Sequence, residues 1–398
     1  MPRKISVPAW LPPLLGFLTA VGPASTDMYL PAFPAIEAGL GAPAGSAQIT
    51  LAAWFAGLAV GQLTQGTLAD RFGRRGPLLA GTAVYTLACV ACALAPSILA
   101  LSVARVVAAI AASAGMVIPR AMVRDLADGH EAARLLSRLM LVMGVAPILA
   151  PSIGGVVLLL ASWRGIFWVM AGYGTICLAL VAGLLPDTLP PDARLRLSAV
   201  EQIARYRAIL RDRGFRLHAG MGAAATFAFF AYLGGSAPVF IDGFGLSPSA
   251  FGLVFGGCAT GLIGAAQLAP RLLARLGSGR LLRWTARVYA LAALALLAAA
   301  FAPVHRFAAV FVPVFVMVAL QGVLNPVTTA AALSRHAAQA GSASALMGTW
   351  QFLMGALSGL AVGLVTDGTP RGMAALMALG AAALLLADHA RAKAYPPP

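Results

Sequence analysis

The sequence predicts an all-α polytopic membrane protein with twelve transmembrane helices, and two observations carry that prediction. Residues of the set AVILMFWYC make up 60% of the 398 positions and charged residues only 10%, against about 45–50% apolar and about 25% charged in soluble domains. With a mean hydropathy of +0.86, the chain has too little polar surface to clothe a fold in water. Disorder, collagen-like repeats and secreted disulfide scaffolds are excluded by the same figures. The second observation is the set of apolar runs. Each is bounded by charge, Pro or Gly and is long enough to cross a hydrocarbon core of about 30 Å, and none alternates as barrel strands do.

In chain order the runs fall at 10–36, 47–69, 77–95, 98–119, 139–161 and 165–185, then at 216–240, 248–270, 284–303, 307–332, 342–364 and 371–390. The first opens like a signal peptide but continues through Asp27 to Ile36, and reads as a retained span. Pro23, Pro119, Pro147, Pro151, Pro313 and Pro326 lie inside runs and predict kinks whose freed carbonyls neighbouring helices satisfy. The longest polar segment, 186–215, separates six runs in 1–185 from six in 216–398, the plan of transporters built from two parallel six-helix halves. An internal echo accompanies it. LADRFGRR (68–75) follows the second run and LARLGSGR (273–280) follows the eighth, keeping an Arg and a Gly at matching offsets and lacking the acid. Within the linker, 199–210 reads either as a short helix on the inner surface with Ile203 and Ile209 toward lipid, or as a solvated connector.

The formal net charge of +15 sits in short clusters between runs, without the aromatic interleaving of a nucleic-acid surface. If the amino terminus is inside, the inner segments hold 24 of the 28 Lys and Arg residues. The outer loops hold Arg164, Arg306 and Arg371, and Arg105 lies within a span. The positive-inside rule therefore places both termini in the cytoplasm. Cys89, Cys92, Cys177 and Cys258 lie in apolar runs and read as packing residues, since Cys89 and Cys92 have no second pair to complete a metal site. The five His residues sit at span edges or in loops, against a clustered hydrolytic site.

Asp27 is the acid to explain. It either sits in water at the outer end of the first span, or lies within the span at a cost of about 2.5–3.5 kcal/mol. Arg105, in the fourth span, offers a partner. Counted from Ile36 and Ser97, the two lie about 13 and 12 Å deep, so one level can hold both charges, and buried opposite charges are expected to pair.

The strongest motif is GQLTQGTLADRFGRR (61–75), which crosses from the second span into a short inner loop. Gly61 and Gly66 suit close helix approach, Asp70 can face the positive end of a neighbouring helix, Gly73 permits a tight turn, and the arginines supply pairs that form and break. It resembles the signature loop of the major facilitator superfamily, G-x-x-x-D-R-x-G-R-R, through Gly66, Asp70, Arg71, Gly73, Arg74 and Arg75. The resemblance implies the major facilitator fold. GVAPILAPSIGG (144–155) is similar to the fifth-span antiporter motif of drug:proton antiporters, through Gly144, Pro147, Pro151, Gly154 and Gly155. It departs from the motif in carrying Ala146 or Ala150 where a Gly precedes the Pro.

DMYLPAFP in the first span, Arg124 and Asp125 after the fourth, SWRGIFW (162–168) and FGLSPSAFGLVFG (244–256) add to this likeness. Together they resemble the bicyclomycin/chloramphenicol-resistance (Bcr/CflA) branch of multidrug:proton antiporters. That resemblance implies proton-driven efflux of small, largely apolar drugs or related metabolites across a bacterial inner membrane, with Asp27 and Arg105 as coupling elements. Thr19 stands where some relatives carry a second acid. A metabolite exporter or symporter of the same superfamily is the alternative.

No G-x-x-x-x-G-K-[ST] loop occurs, which leaves an ion gradient as the energy source. Tyr29, Phe33, Gln62, Phe229, Phe230, Tyr232, Asn325, Trp350 and Gln351 are candidates to line a central cavity. Asp367 and Asp388 read as solvated, and Asp125 as paired with a loop arginine. The expected partners are a small-molecule substrate, protons and the lipid bilayer. No nucleic acid, cofactor, metal or catalytic residue is expected, and the chain is expected to function as a monomer.

Overall fold

The computed structural model describes residues 8, 10–127, 129–194 and 199–395. Arg3 and Lys4, counted in the charge bias, fall outside them. So do the side-chain surroundings of several α7 residues, Gly144 and Pro147 among them.

Among the described residues the fold is all helical. The first apolar run does not form one rod. It breaks into α1 (Leu11–Thr19), α2 (Val21–Asp27), a 3-10 turn (Leu30–Ala32) and α3 (Phe33–Leu40). Pro31 and Pro34 supply no backbone N–H to the turns before them, which is why the segment tightens there. The next helices are α4 (Ser46–Phe72), α5 (Arg75–Ala93), α6 (Ile98–Leu126), α7 (Gly129–Leu160) and α8 (Arg164–Leu184). The linker forms α9 (Ala199–Arg211), the first of the two readings of that segment, and is followed by α10 (Arg213–Ala237). The chain ends with α11 (Pro248–Ala300), α12 (Phe307–Leu333), α13 (Ala340–Val365) and α14 (Pro370–Ala394).

Nine of the described helices are long and apolar enough to cross a membrane. The 53-residue α11 is too long for one crossing, and Gly277 breaks it at φ 71°, ψ 160°. With the broken first run and α7, all twelve runs are helical. Pro119, Pro270, Pro313 and Pro326 are carried inside continuous helices. The inner segment 120–138 is shorter than the hydropathy suggests, because α6 runs on to Leu126 and α7 starts at Gly129.

Contacts sort the turns into two ends. At one, Arg74 reaches Asp70 and Asp125, Arg335 reaches Asp212, and Arg391 donates to the Gly279 carbonyl. At the other, Arg164 donates to the Ala95 carbonyl, and Gly45 and Gly243 lie against the backbones of Gly363 and Gly368. Among the described residues, these basic turns therefore share one end of the molecule.

Three readings of single residues are corrected by the packing. Ile209 does not face lipid but is fully buried against Phe215 and Ala219, while Ile203 is exposed. Asp388 is not solvated. It is 6% exposed and bound to Arg391 at 2.5 Å, because the i, i+3 spacing brings the two onto one helix face. Gly61 does allow close approach, since a Cβ there would meet Ser113 Oγ at 2.1 Å. Gly66 does not serve that purpose: a Cβ there would meet only Val117, at an ordinary 3.7 Å.

Candidate functional site

Two long-range seams bring the central residues together. Along the first, α4 packs on α13, with Thr349 Oγ1 donating to the Ala59 carbonyl at 3.2 Å. Along the second, α7 packs on α11. A Cβ on Gly155 would lie 3.0 Å from the Pro248 carbonyl, and one on Gly154 would lie 2.1 Å from that of Met28. The paired glycines therefore let α7 touch the broken first span and α11 at once, with Pro151 buried one turn before.

Between these seams lies a cavity of ≈ 230 Å³. Six aromatic residues face it: Phe55, Phe229, Phe230, Tyr232, Phe255 and Phe352. Asp27 is the only charged residue among its described lining, at the last position of α2 and 6% exposed. The chain is broken immediately after it, so the carboxyl sits at an irregular point of the backbone, where transporter folds place binding groups.

Arg105 does not pair with Asp27. Its guanidinium lies between two aromatic rings, 4.4 Å from the Tyr29 centroid and 4.5 Å from that of Trp54, and Nη1 donates to the Ser25 carbonyl at 3.0 Å. Equal depth fixes level but not azimuth, and the rings occupy the space beside the arginine. A desolvated cation gains about 2 kcal/mol or more from such a face, an alternative to a carboxylate that hydropathy does not reveal. Trp54 joins the two charges indirectly, because its Nε1–H donates to Thr26 Oγ1 at 3.0 Å, one residue before Asp27.

Of the expected lining residues, Phe229, Phe230 and Tyr232 line the cavity and the rest do not. Tyr29 and Phe33 are core residues, fully buried and edge-on to each other, and the Tyr29 hydroxyl is bonded to Thr50. Gln62 abuts Gly348 near the basic end. Gln351 donates to Asn325 Oδ1 at 2.7 Å, and Trp350 is 38% exposed. Phe55, Phe255 and Phe352 were missed because an aromatic in an apolar run carries no mark of which way it faces.

In the loop after α4, Gly73 takes φ 91°, ψ 171°, and Arg74 bonds Asp70 at 2.5 Å and Asp125 at 2.7 Å, making it the loop arginine that holds Asp125. Arg75 donates to the Ala182 carbonyl, Arg71 lies over Phe72, and Arg124 is exposed. Gly277, in the echoed segment, repeats the Gly73 conformation at φ 71°, ψ 160°. Both glycines lie in a region open essentially to glycine alone.

Residues 15–359 match the family profile described as Major Facilitator Superfamily. The chain belongs to that superfamily. It is 36% identical over 367 residues to an uncharacterized MFS-type transporter, YdgK, of Bacillus subtilis, covering 90% of each chain. To a bicyclomycin resistance protein homolog of Haemophilus influenzae it is 31% identical, over 87% of this chain and 86% of that one. Multidrug resistance protein MdtL of Shigella flexneri is 34% identical across 44% of each. In fold it resembles a bacterial homolog of the human lysosomal transporter Spinster, in an inward-facing and occupied conformation (TM-score 0.77, 15% identity, 96% and 97% coverage). A D-xylose–proton symporter gives a TM-score of 0.70 at 17% identity, with 94% and 96% coverage. The protein is a membrane transporter of this superfamily, not an enzyme, and its relatives include multidrug resistance proteins.

Proposed function

We propose that the protein is a proton-coupled antiporter that exports small, largely apolar drugs or related metabolites across the bacterial inner membrane. One observation carries this reading. Asp27 is a lone carboxyl in an aromatic cavity, without a basic partner among the described residues. Such a group exchanges a proton against whatever else fills the cavity, which is the chemistry antiport needs.

In this reading both termini are cytoplasmic and the basic end faces inward, as the charge bias implies. Residues 1–185 and 216–398 form two six-helix halves joined by the linker, and the matching turns at Gly73 and Gly277 support that division. The halves rock about the seams at Gly154–Gly155 and at α4–α13, with Gly144, Pro147 and Pro151 giving α7 its hinge. Asp70, Arg74 and Asp125 make and break the inner latch, with Gly66, Arg71, Gly73, Arg75 and Arg124 around it. Substrate occupies the cavity that Phe229, Phe230 and Tyr232 line, and Asp27 carries the proton when substrate is absent. Arg105 does not release from Asp27, since the two do not touch. Instead, a shift of the Asp27 turn reaches Arg105 through Thr26 and Trp54. The transporter works as a monomer.

Everted membrane vesicles test the assignment. Drug addition should release protons from vesicles carrying the wild-type chain and not from those carrying Asp27→Asn at equal abundance. Proton movement in the same direction as the substrate would indicate a symporter, and normal exchange by Asp27→Asn would overturn the reading.

A further inference from the structure

A second cavity, of ≈ 240 Å³, opens at the basic end. It lies next to the first along α6, where Met116 lines one cavity and Val117 the other. Five arginines line it (Arg71, Arg74, Arg120, Arg124 and Arg205), against a single described acid, Asp70. Arg74 is taken up by Asp70 and Asp125, and the positive charge of the lining comes from the other arginines. The remaining wall mixes apolar residues, Leu63, Val117 and Ile118 among them, with the polar Gln202, Tyr206 and Ser342.

Along α9 the arginines are separated by face. Arg205 lines this cavity, whereas Arg207 and Arg211 line a shallow groove elsewhere on the helix. The first turn of α13 (Ala340–Ser342) closes the cavity with the positive end of its dipole.

We infer that this cavity is a binding site for a phosphate-bearing anion, either a free phosphate compound or the headgroup of an anionic lipid. Guanidinium forks match phosphate oxygens two at a time, and several of them converge here from α4, α6, α9 and the turn after α4. Because α4 and α6 form one side and α9 and α13 the other, a bound anion holds these elements together. Occupancy therefore stabilises the arrangement seen here against any motion that parts them.

The test is thermal melting of the full chain in neutral detergent, titrated with pyrophosphate at constant ionic strength balanced by chloride. The wild type should melt higher as pyrophosphate rises. Arg205→Gln should raise the half-saturating concentration by about tenfold or more through the loss of one charge-assisted contact, and Gln202→Glu, which sets a carboxylate against the anion, should raise it as well. Arg207→Gln, with the same change in net charge on the same helix, should behave as wild type. A parallel arm compares vesicles of phosphatidylglycerol with vesicles of phosphatidylcholine. Stabilisation by phosphatidylglycerol alone, lost in Arg205→Gln and kept in Arg207→Gln, identifies the lipid headgroup as the source. No response of the wild type in either arm, or equal losses in Arg205→Gln and Arg207→Gln, overturns the site.

Discussion

Asp27 and Asp388 are equally buried, each 6% exposed, yet their surroundings are opposite. Asp388 is bound by Arg391 at 2.5 Å, and that arginine is tied in turn to the Gly279 carbonyl beside the Gly277 turn. Asp27 faces a cavity of aromatic rings and has no basic partner there, while the nearest candidate cation is held by Tyr29, Trp54 and the Ser25 carbonyl. Burial alone therefore does not mark a proton site. A buried acid with a fixed countercharge is an anchor, whereas one without is free to change its protonation with the contents of the cavity.

The largest expected contrast is between Asp27→Asn and Asp388→Asn. The first should abolish substrate-driven proton release and leave melting within about 1 kcal/mol of wild type, since no ion pair is lost. The second should keep proton release in the folded fraction and lower the melting temperature. If Asp388→Asn folded normally and lost coupling while Asp27→Asn kept it, the contrast would be reversed.

Next in size is Arg391→Met, which strands the Asp388 carboxylate in a buried setting and should cost about 3–5 kcal/mol. Adding Asp388→Leu should recover most of that loss, because replacing a whole buried pair with apolar side chains is often neutral. An unrecovered double variant would show that the Gly279 contact, rather than the pair, is what Arg391 contributes.

These pairings explain what the sequence made legible. Hydropathy located all twelve runs, but not the break of the first into α1, α2, a 3-10 turn and α3. The Arg and Gly of the echoed loops pointed to equivalent turns, and Gly73 and Gly277 take nearly the same backbone angles. Side-chain partners were much less legible. Depth placed Asp27 and Arg105 on one level, but Trp54 of α4 and Tyr29 of the turn after α2 claimed the arginine. Asp388 looked solvated because it sits near the end of a span, although the i, i+3 spacing to Arg391 was a usable signal for a pair. Asp27 itself was legible because a membrane span makes any acid conspicuous.

Trp54 sharpens the comparison at a smaller scale, since it joins the Asp27 turn to Arg105. Trp54→Phe keeps a ring beneath the guanidinium and removes the N–H bonded to Thr26, at a cost of about 1 kcal/mol. Trp54→Leu also removes the ring and should cost about 2 kcal/mol more. If the proposed relay operates, Trp54→Phe should move the pH profile of proton-coupled transport while binding of substrate at equilibrium changes little. An unmoved profile would leave Trp54 as packing only.

The smallest effect belongs to an acid that is paired but outside the spans. Asp212 accepts the Gly214 and Phe215 N–H groups at the start of α10 and binds Arg335 at 2.7 Å. The hydrogen bonds from Arg335 hold its carboxyl well below the ordinary 3.8. Asp212→Asn keeps an oxygen for the cap and removes only the charge, so the loss near neutral pH should be below about 1 kcal/mol for so exposed a pair. The sign follows from the lowered value. The carboxylate's contribution is complete above pH 3.8 and is lost as pH falls through the folded-state value. In a His336→Gln background, which removes the imidazole 3.2 Å from Asp212, the melting gap between Asp and Asn should be flat from pH 7 to 5 and close only in stronger acid. A gap that closed already between pH 7 and 5 would mean that Asp212 is not held by Arg335 in solution, and that the ties at the basic end are looser than those around Asp388.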